Sequence, residues 1–300
     1  MATTAPAIER EQTILGEAHP QRGRLAVLLR RLLRRPSAVI GGAVVLVFVA
    51  VALTAPVISP HDPNDVAARQ RRKPPSAEHR LGTDEIGRDV LSRVIYGARV
   101  SLQVGVIAIG IALTGGTILG VIAGYFGRHV DTVIMRLTDV MLAFPGILMA
   151  IAIVAILGPG LYNVMIAVGI EAIPVYARTA RASTLSVRET EYVLGARAIG
   201  AGHLRILVRY IMPNIVAPLI VLATIGVAGS ILAAAGLSYI GLGAQPPTAE
   251  WGAMLAAART YIREAWWMST FPGLAIALVV LALNLFGDGL RDALDPRTLD

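Results

Sequence analysis

The stretch EYVLGARAIGAGHLRILVRYIMPN, residues 191–214, is polar, although strongly apolar segments precede and follow it in this 300-residue chain. Glycine accepts the left-handed backbone geometry that ends helices, so Gly200 and Gly202 predict the end of a short helix over 190–199. Apolar residues at helical spacing then predict a second, amphipathic helix that Pro213 ends: Leu204, Leu207, Val208 and Ile211. We expect two short helices joined by a glycine bend; an amphipathic linker on a membrane surface is the alternative.

The composition around this stretch is that of an integral membrane protein. Hydrophobic residues make up 55% and charged residues 16% of the chain, and the mean hydropathy is +0.65, whereas about a quarter of a soluble protein is charged. The net charge of +7 comes almost wholly from arginine, because Lys73 is the only lysine. In a membrane protein such charge sets topology and attracts lipid headgroups; nucleic-acid binding is not expected. With no cysteine, thiolate sites are excluded.

Six segments are apolar and long enough for the roughly 20 residues that cross a bilayer. They cover residues 38–58, 100–126, 133–157, 161–177, 215–237 and 270–287. The fourth is short and contains Glu171 and Pro174, so five spans are the alternative. We therefore predict an all-α membrane protein with about six transmembrane helices.

Arginines before the first span argue that the amino terminus is cytoplasmic. The predicted order is a cytoplasmic Arg-rich tail over 1–36 that can form an amphipathic helix, a first span over 37–58, an extracytoplasmic loop over 59–99, a helical core over 100–290 that includes the loop 183–213, and a cytoplasmic tail over 291–300. The loop 59–99 is itself basic, which argues against this orientation.

A few polar residues in or near the spans are candidates for function. Arg136 and Asp139 are three residues apart and can pair on one helical face near the interface. Glu171 is a functional candidate because ionisable residues in a span are costly. Gln103 and Asn284 are candidates for lining a path through the membrane or for bridging helices.

The loops between spans carry further predictions. Thr83 is expected to N-cap a helix, with Asp84 in its first turn. The three tryptophans, Trp251, Trp266 and Trp267, are expected to form an interfacial belt. All five histidines lie outside the apolar spans. His61 and His79 can meet at a metal, but two loop histidines without further ligands are expected to be solvated.

Several long stretches resemble one family. HRLGTDEIGRDVLSRVIYGARVSL (79–102), AGYFGRHVDTVIMRLTDVMLAFP (123–145), GLGAQPPTAEWGAML (241–255) and NLFGDGLRDALDPR (284–297) resemble the second permease subunit of dipeptide, oligopeptide and nickel ABC importers, nearest the dipeptide branch. In the family's EAA loop, Leu194, Gly195 and Ala196 stand at the Glu-Ala-Ala positions, and Gly200 and Pro213 keep the pattern.

The resemblance implies the type I importer fold in a bacterial inner membrane, with both termini in the cytoplasm. It implies that a second, homologous permease and one or two ATPase subunits assemble with the chain, and that an extracytoplasmic binding protein delivers a peptide. The loop 183–213 becomes a coupling loop that docks on the ATPase, where Glu191 and Arg197 can pair with charges. No cofactor is implied for this chain; ATP and magnesium belong to the partner ATPases.

The residues themselves do not predict an enzyme. A P-loop needs a lysine after glycine, whereas Lys73 follows Arg72 and precedes a proline, and no nucleophile–base constellation is visible. The alternatives are a nickel-branch importer permease and an ion- or proton-coupled secondary transporter, which would be expected to show ionisable relays or paired broken helices. A membrane-embedded enzyme ranks below both.

Overall fold

A computed structural model describes residues 30–294 of the chain. Residues 1–29 of the predicted tail over 1–36, which include Arg22 and Arg24, and residues 295–300 lie outside the described part. Within it the protein is helical, without a β-strand; one isolated bridge joins Thr83 and Asp89. The helices are α1 Pro36–Ile58, α2 Val90–Phe126, α3 Arg128–Leu142, α4 Gly146–Leu157, α5 Leu161–Arg188, α6 Glu191–Ala198, α7 His203–Ile206, α8 Met212–Tyr239, α9 Trp251–Ala258 and α10 Trp267–Leu294.

Four segments of the described chain are long and apolar enough to cross a membrane: α1, α2, α7 with α8, and α10. The third predicted span is two helices, α3 and α4, bent by 92° at a break before Gly146. Counting this bent pair as one span gives five. α5 has 28 residues but is not among the candidates; it carries Glu171 in its first half and arginines in its second. An all-helical membrane fold is confirmed, with four or five candidate spans instead of six.

A seam of small residues joins α2 to α5, the most extensive helix pair of the described structure. Gly116, Gly120 and Gly124 recur every fourth residue along α2 and face α5. A Cβ at Gly120 would overlap the carbonyl oxygen of Ala177, which is backbone and cannot turn away. Small residues at this spacing let two helix backbones approach closely in a membrane.

At one end of the bundle, residues 59–89 and 240–266 form what we call the loop layer. Trp267 donates a hydrogen bond from Nε1 to the carbonyl oxygen of Thr83 (3.1 Å), and Trp251 donates to that of Val94 (3.0 Å). Both tryptophans are buried, so the predicted interfacial belt is wrong for them; Trp266 is exposed. An indole that is buried usually finds such an acceptor.

The start of α2 also differs from the prediction. Asp89, not Thr83, caps the helix: its carboxylate accepts from the backbone N–H of Ser92 (2.8 Å). Thr83 instead accepts from the N–H of Lys73 within the loop layer (2.8 Å). With the cap here, α2 begins at Val90 and has 37 residues, a length of about 55 Å at the usual helical rise.

Candidate functional site

The predicted coupling loop contains a short helix with a well-formed C-terminal cap. α6 ends at Ala198, and Gly200 follows with φ +79°. The N–H of Gly200 donates to the carbonyl oxygen of Arg197 (2.9 Å), and that of Ala201 donates to Ala196 (3.0 Å). These are the two bonds of a Schellman motif, which satisfies the carbonyls that a helix end leaves free. The predicted helix and its glycine cap are confirmed.

The second half of the loop was predicted less well. α7 does not end at Pro213: it continues through a π-helical turn, Leu207–Ile211, into α8, where Pro213 lies in the first turn. Proline has no N–H to donate into this continuous helix, and a π turn is one of the local adjustments that re-satisfy the backbone groups that a proline leaves free. The predicted apolar face is correct for Ile211, which is buried, and for Leu207, which is partly buried, but wrong for Leu204 and Val208, which are exposed.

Ile206, which lies outside the predicted face, is buried together with Ile211, five positions further on. A π turn holds more residues per turn than an α-helix and closes i→i+5 hydrogen bonds. It therefore brings residues five apart onto one side, which a period of 3.6 cannot predict.

Side chains of α6 and α7 anchor the loop to the end of α2. Val193 is buried in the cluster that contains Tyr125, the second-last residue of α2, and Ala196 is also buried. The Tyr125 hydroxyl and Nδ1 of His203 are hydrogen-bonded at 2.8 Å, and the Arg197 guanidinium lies 5.2 Å from the centre of the Tyr125 ring. The loop is thus held at the end of α2 opposite the loop layer.

The outward face of the loop combines charge with apolar surface. Glu191, in the first turn of α6, and Arg197, in its last, are exposed. Leu194 is half exposed and Ile199 is 84% exposed. Gly195 and Gly200 have no neighbouring atom on this side. A capped helix with exposed apolar side chains is a surface suited to a protein partner.

The predicted ion pair has a different cation. Asp139 pairs with Arg178 of α5 at 2.7 Å, and not with Arg136, which is exposed on the same helix as Asp139. A second pair joins the same helices: Arg181 contacts Asp131 with both ends of its guanidinium, at 2.5 and 2.6 Å. This second pair was not predicted, although Asp131 and Asp139 stand eight residues apart and so share one face of α3.

Glu171 lies in the first half of α5 and is half buried. Its carboxylate packs against Gly146, the first residue of α4, so closely that a Cβ there would overlap it. An acid at this position faces the positive end of the α4 dipole. Gln103 is exposed on α2, and Asn284 is half buried on α10. Among residues 30–294, the structure records no hydrogen bond joining the three.

The loop layer contains a buried charge cluster that the sequence analysis did not single out. Asp84 accepts from Nε of Arg88 (2.5 Å) and lies 3.6 Å from Nε of Arg93, and all three are buried. Arg93 also donates to the carbonyl oxygen of Pro63 (2.9 Å). The spacing of four residues between Asp84 and Arg88 was the sequence signal from which this ion pair could have been predicted. Asp84 was predicted to lie in the first turn of a helix, and this is wrong. Its carboxylate lies in a loop and stabilises that loop through its contacts with Arg88 and Arg93.

Glu250 caps α9 beside this cluster. Its carboxylate accepts from the backbone N–H of Gly252 (2.9 Å) and of Ala253 (2.8 Å). Burial raises the pKa of Glu250, and the two backbone hydrogen bonds oppose the rise without cancelling it.

Comparison with known proteins assigns the chain to a family. Residues 116–300 match the family described as the binding-protein-dependent transport system inner membrane component. The chain belongs to this family. Residues 24–75 of the permease also match the N-terminal transmembrane domain of oligopeptide transport permease C. The protein is therefore a multi-pass membrane transport permease of the ABC importer class, and its family is not one of enzymes.

Curated relatives are similar over most of the permease. It is 48% identical to the dipeptide transport system permease protein DppC of Alkalihalophilus pseudofirmus, over 89% of this chain and 88% of that one. It is 50% identical to the di/tripeptide transport system permease protein DppC of Pseudomonas aeruginosa, over 84% and 85% of the two chains.

A solved structure supports the fold. A chain of the MetNI methionine ABC transporter, in inward-facing conformations, superposes with a TM-score of 0.55 at 18% identity. The match covers 68% of the permease and 98% of that chain. At this identity the likeness shows the importer-permease fold and nothing about cargo.

Proposed function

We propose that the permease carries dipeptides and other short peptides across the bacterial inner membrane as one subunit of an ATP-driven importer. The names of its relatives in Alkalihalophilus pseudofirmus and Pseudomonas aeruginosa support this cargo. In this proposal the amino and carboxyl termini lie in the cytoplasm. The loop layer then faces outward, towards a binding protein that delivers the peptide, and the coupling loop faces the cytoplasm. A second, homologous permease completes the path.

The ATP and magnesium of the cycle belong to separate ATPase subunits, one or two per assembly. The observation that carries this proposal is the capped helix α6 with its exposed face, held by Val193 and Tyr125 to the end of α2. A partner can shift an equilibrium only through different affinities for its two states. A rigid element that protrudes from the bundle can bind an ATPase with different affinities in the two states of the permease. Glu191 and Arg197 are available for charge pairing with the ATPase.

The first test is to express the permease with the other genes of its operon, purify it in mild detergent and measure ATP hydrolysis. We expect a second permease and an ATPase to co-purify, with hydrolysis stimulated by a peptide-loaded binding protein. Recovery of this chain alone, with ion-driven uptake in vesicles that lack ATP, would favour a secondary transporter instead.

The second test changes one residue of the coupling loop. Gly200→Glu places a charged side chain on the exposed end of α6, and we expect membrane insertion to persist while ATP-dependent uptake is lost. Gly158→Glu is the matched control, because Gly158 also has a positive φ (+91°) and open space around it but lies between α4 and α5. Undiminished uptake by Gly200→Glu would contradict the coupling role.

A further inference from the structure

Three potential metal ligands converge in the loop layer, outside the coupling loop and the charge cluster around Asp84. His61 follows the end of α1, His79 lies in the middle of the loop, and Asp89 caps α2. One ligand atom from each lies within 4.8 Å of the other two. Nδ1 of His79 is 2.9 Å from Oδ1 of Asp89, and Nδ1 of His61 is 3.8 Å from Oδ2.

The second ring nitrogen of His79 is held by Gln70. Nε2 of His79 is hydrogen-bonded to the side-chain amide of Gln70, whose oxygen faces the ring in this structure, and in this orientation Nε2 is the donor. The lone pair of Nδ1 then points at the carboxylate of Asp89, and two acceptors this close need a positive charge between them. With the amide turned over, Nδ1 donates to the carboxylate in an ordinary hydrogen bond, and the zinc titration below separates the two arrangements. A histidine whose outer N–H donates to a carbonyl oxygen is also the usual arrangement of a metal ligand.

His61 brings a second nitrogen that needs a partner to the same place. Its Nδ1 is buried and has no hydrogen-bond partner, a state that costs free energy unless another group satisfies the atom. The rings of His61 and His79 are 4.9 Å apart, so two protonated rings would repel each other. A single cation satisfies both nitrogens and the carboxylate at once.

The distances and the cavity fit a small ion. Ligand bonds of about 2.0–2.2 Å in a tetrahedral zinc site place ligand atoms roughly 3.3–3.5 Å apart. The two histidine nitrogens lie 2.9 and 3.8 Å from different oxygens of Asp89, and the three ligand atoms lie within 4.8 Å of one another, so a small inward movement brings them to this range. A cavity of about 110 Å³ adjoins the three residues and is also lined by Asp62, Asp65 and Glu78. It leaves room for water or a further carboxylate at the fourth position. His61 is partly exposed and can move inward.

We propose that His61, His79 and Asp89 bind a divalent transition-metal ion of the Zn²⁺ type. Two imidazoles and one carboxylate favour such an ion over Mg²⁺ or Ca²⁺, which take oxygen ligands. The ion joins the end of α1 to the start of α2 and so fixes the fold of residues 59–89. This site does not depend on the transported cargo or on the ATPases.

The test uses the full-length permease with a purification tag that contains no histidine. After treatment with a chelator, Zn²⁺ is titrated against a competing indicator, and bound metal is counted by mass spectrometry after gel filtration. We expect about one Zn²⁺ per chain, with binding at least about tenfold weaker in His61→Ala and in Asp89→Asn. The amide that Asp89→Asn introduces keeps an oxygen that can cap α2. His129→Ala, which removes an exposed histidine of α3, is the matched control and should bind as wild type does.

Thermal unfolding gives a second readout. We expect Zn²⁺, but not Mg²⁺, to raise the Tm of the wild type and of His129→Ala, and to leave that of His61→Ala unchanged, because an ion that binds the folded state stabilises it. Wild-type protein that retains no Zn²⁺ would overturn the proposal. Equal Zn²⁺ binding by wild type and His61→Ala would overturn it as well.

Discussion

The carboxylate of Glu171 packs directly against Gly146 at the 92° bend between α3 and α4. Only a residue without a side chain leaves room for the acid at this place. We expect Gly146→Ala to cost about 1 kcal/mol, the low end for overpacking, because the displaced group is the end of a flexible chain.

A double-mutant cycle measured by thermal unfolding checks this contact. Adding Glu171→Ala removes the atoms that the new methyl group meets, so the cost of Gly146→Ala should vanish in that background. Equal costs in both backgrounds would show that the two residues do not act on each other.

The cap of α6 predicts different results for two neighbouring glycines. Gly200 and Gly202 both have open space around them, but only Gly200 has a positive φ. A side chain in the left-handed region costs roughly 1 kcal/mol, so Gly200→Ala should speed amide exchange in α6, whereas Gly202→Ala should not. Similar exchange in both variants would contradict the role of the cap.

The seam between α2 and α5 should not tolerate a larger residue. Gly120→Val should destabilise the permease by at least about 1–3 kcal/mol, because its side chain meets the backbone of Ala177. Gly110→Val, in the same helix with open space beside it, tests whether valine alone is harmful. Detergent stability of the two variants, measured by gel filtration after heating, should differ clearly.

The raised pKa of Glu250 predicts a pH dependence of stability. The folded state favours the protonated carboxyl, so this contribution is fully present below the ordinary pKa of 4.5 and is lost as the pH rises through the folded pKa. The Tm of the wild type relative to Glu250→Gln should therefore be highest near pH 4 and fall towards neutral pH. A relative Tm that stays constant over this range would argue against the shift.

The elements that could be predicted from sequence depend on local chemistry. Hydropathy located the apolar cores of the spans, and the backbone freedom of Gly200 predicted the cap of α6. Other features depend on neighbours that are distant in the chain. Asp139 could be matched only to Arg136 on its own helix, because nothing local shows that α5 brings Arg178 to it.

The site that we propose for a metal shows the same limit. His61 and His79 were recognised as a pair, but their third partner, Asp89, was not, because the helix that it caps was expected to begin earlier, at Thr83. The break between α3 and α4 was missed because the two helices taken together are apolar enough for one span. The π turn was missed because its spacing differs from the period that the analysis assumed.

α2 runs without a break from the cap at Asp89 to Tyr125, so it acts as a lever about 55 Å long between the two ends of the bundle. A tilt of about 5° about one end displaces the other by about 5 Å, close to the rise of one helical turn. Because α6 is fastened to one end and the loop layer to the other, a rotation of a few degrees at either surface, carried by α2 as a rigid body, displaces the opposite surface by several ångströms.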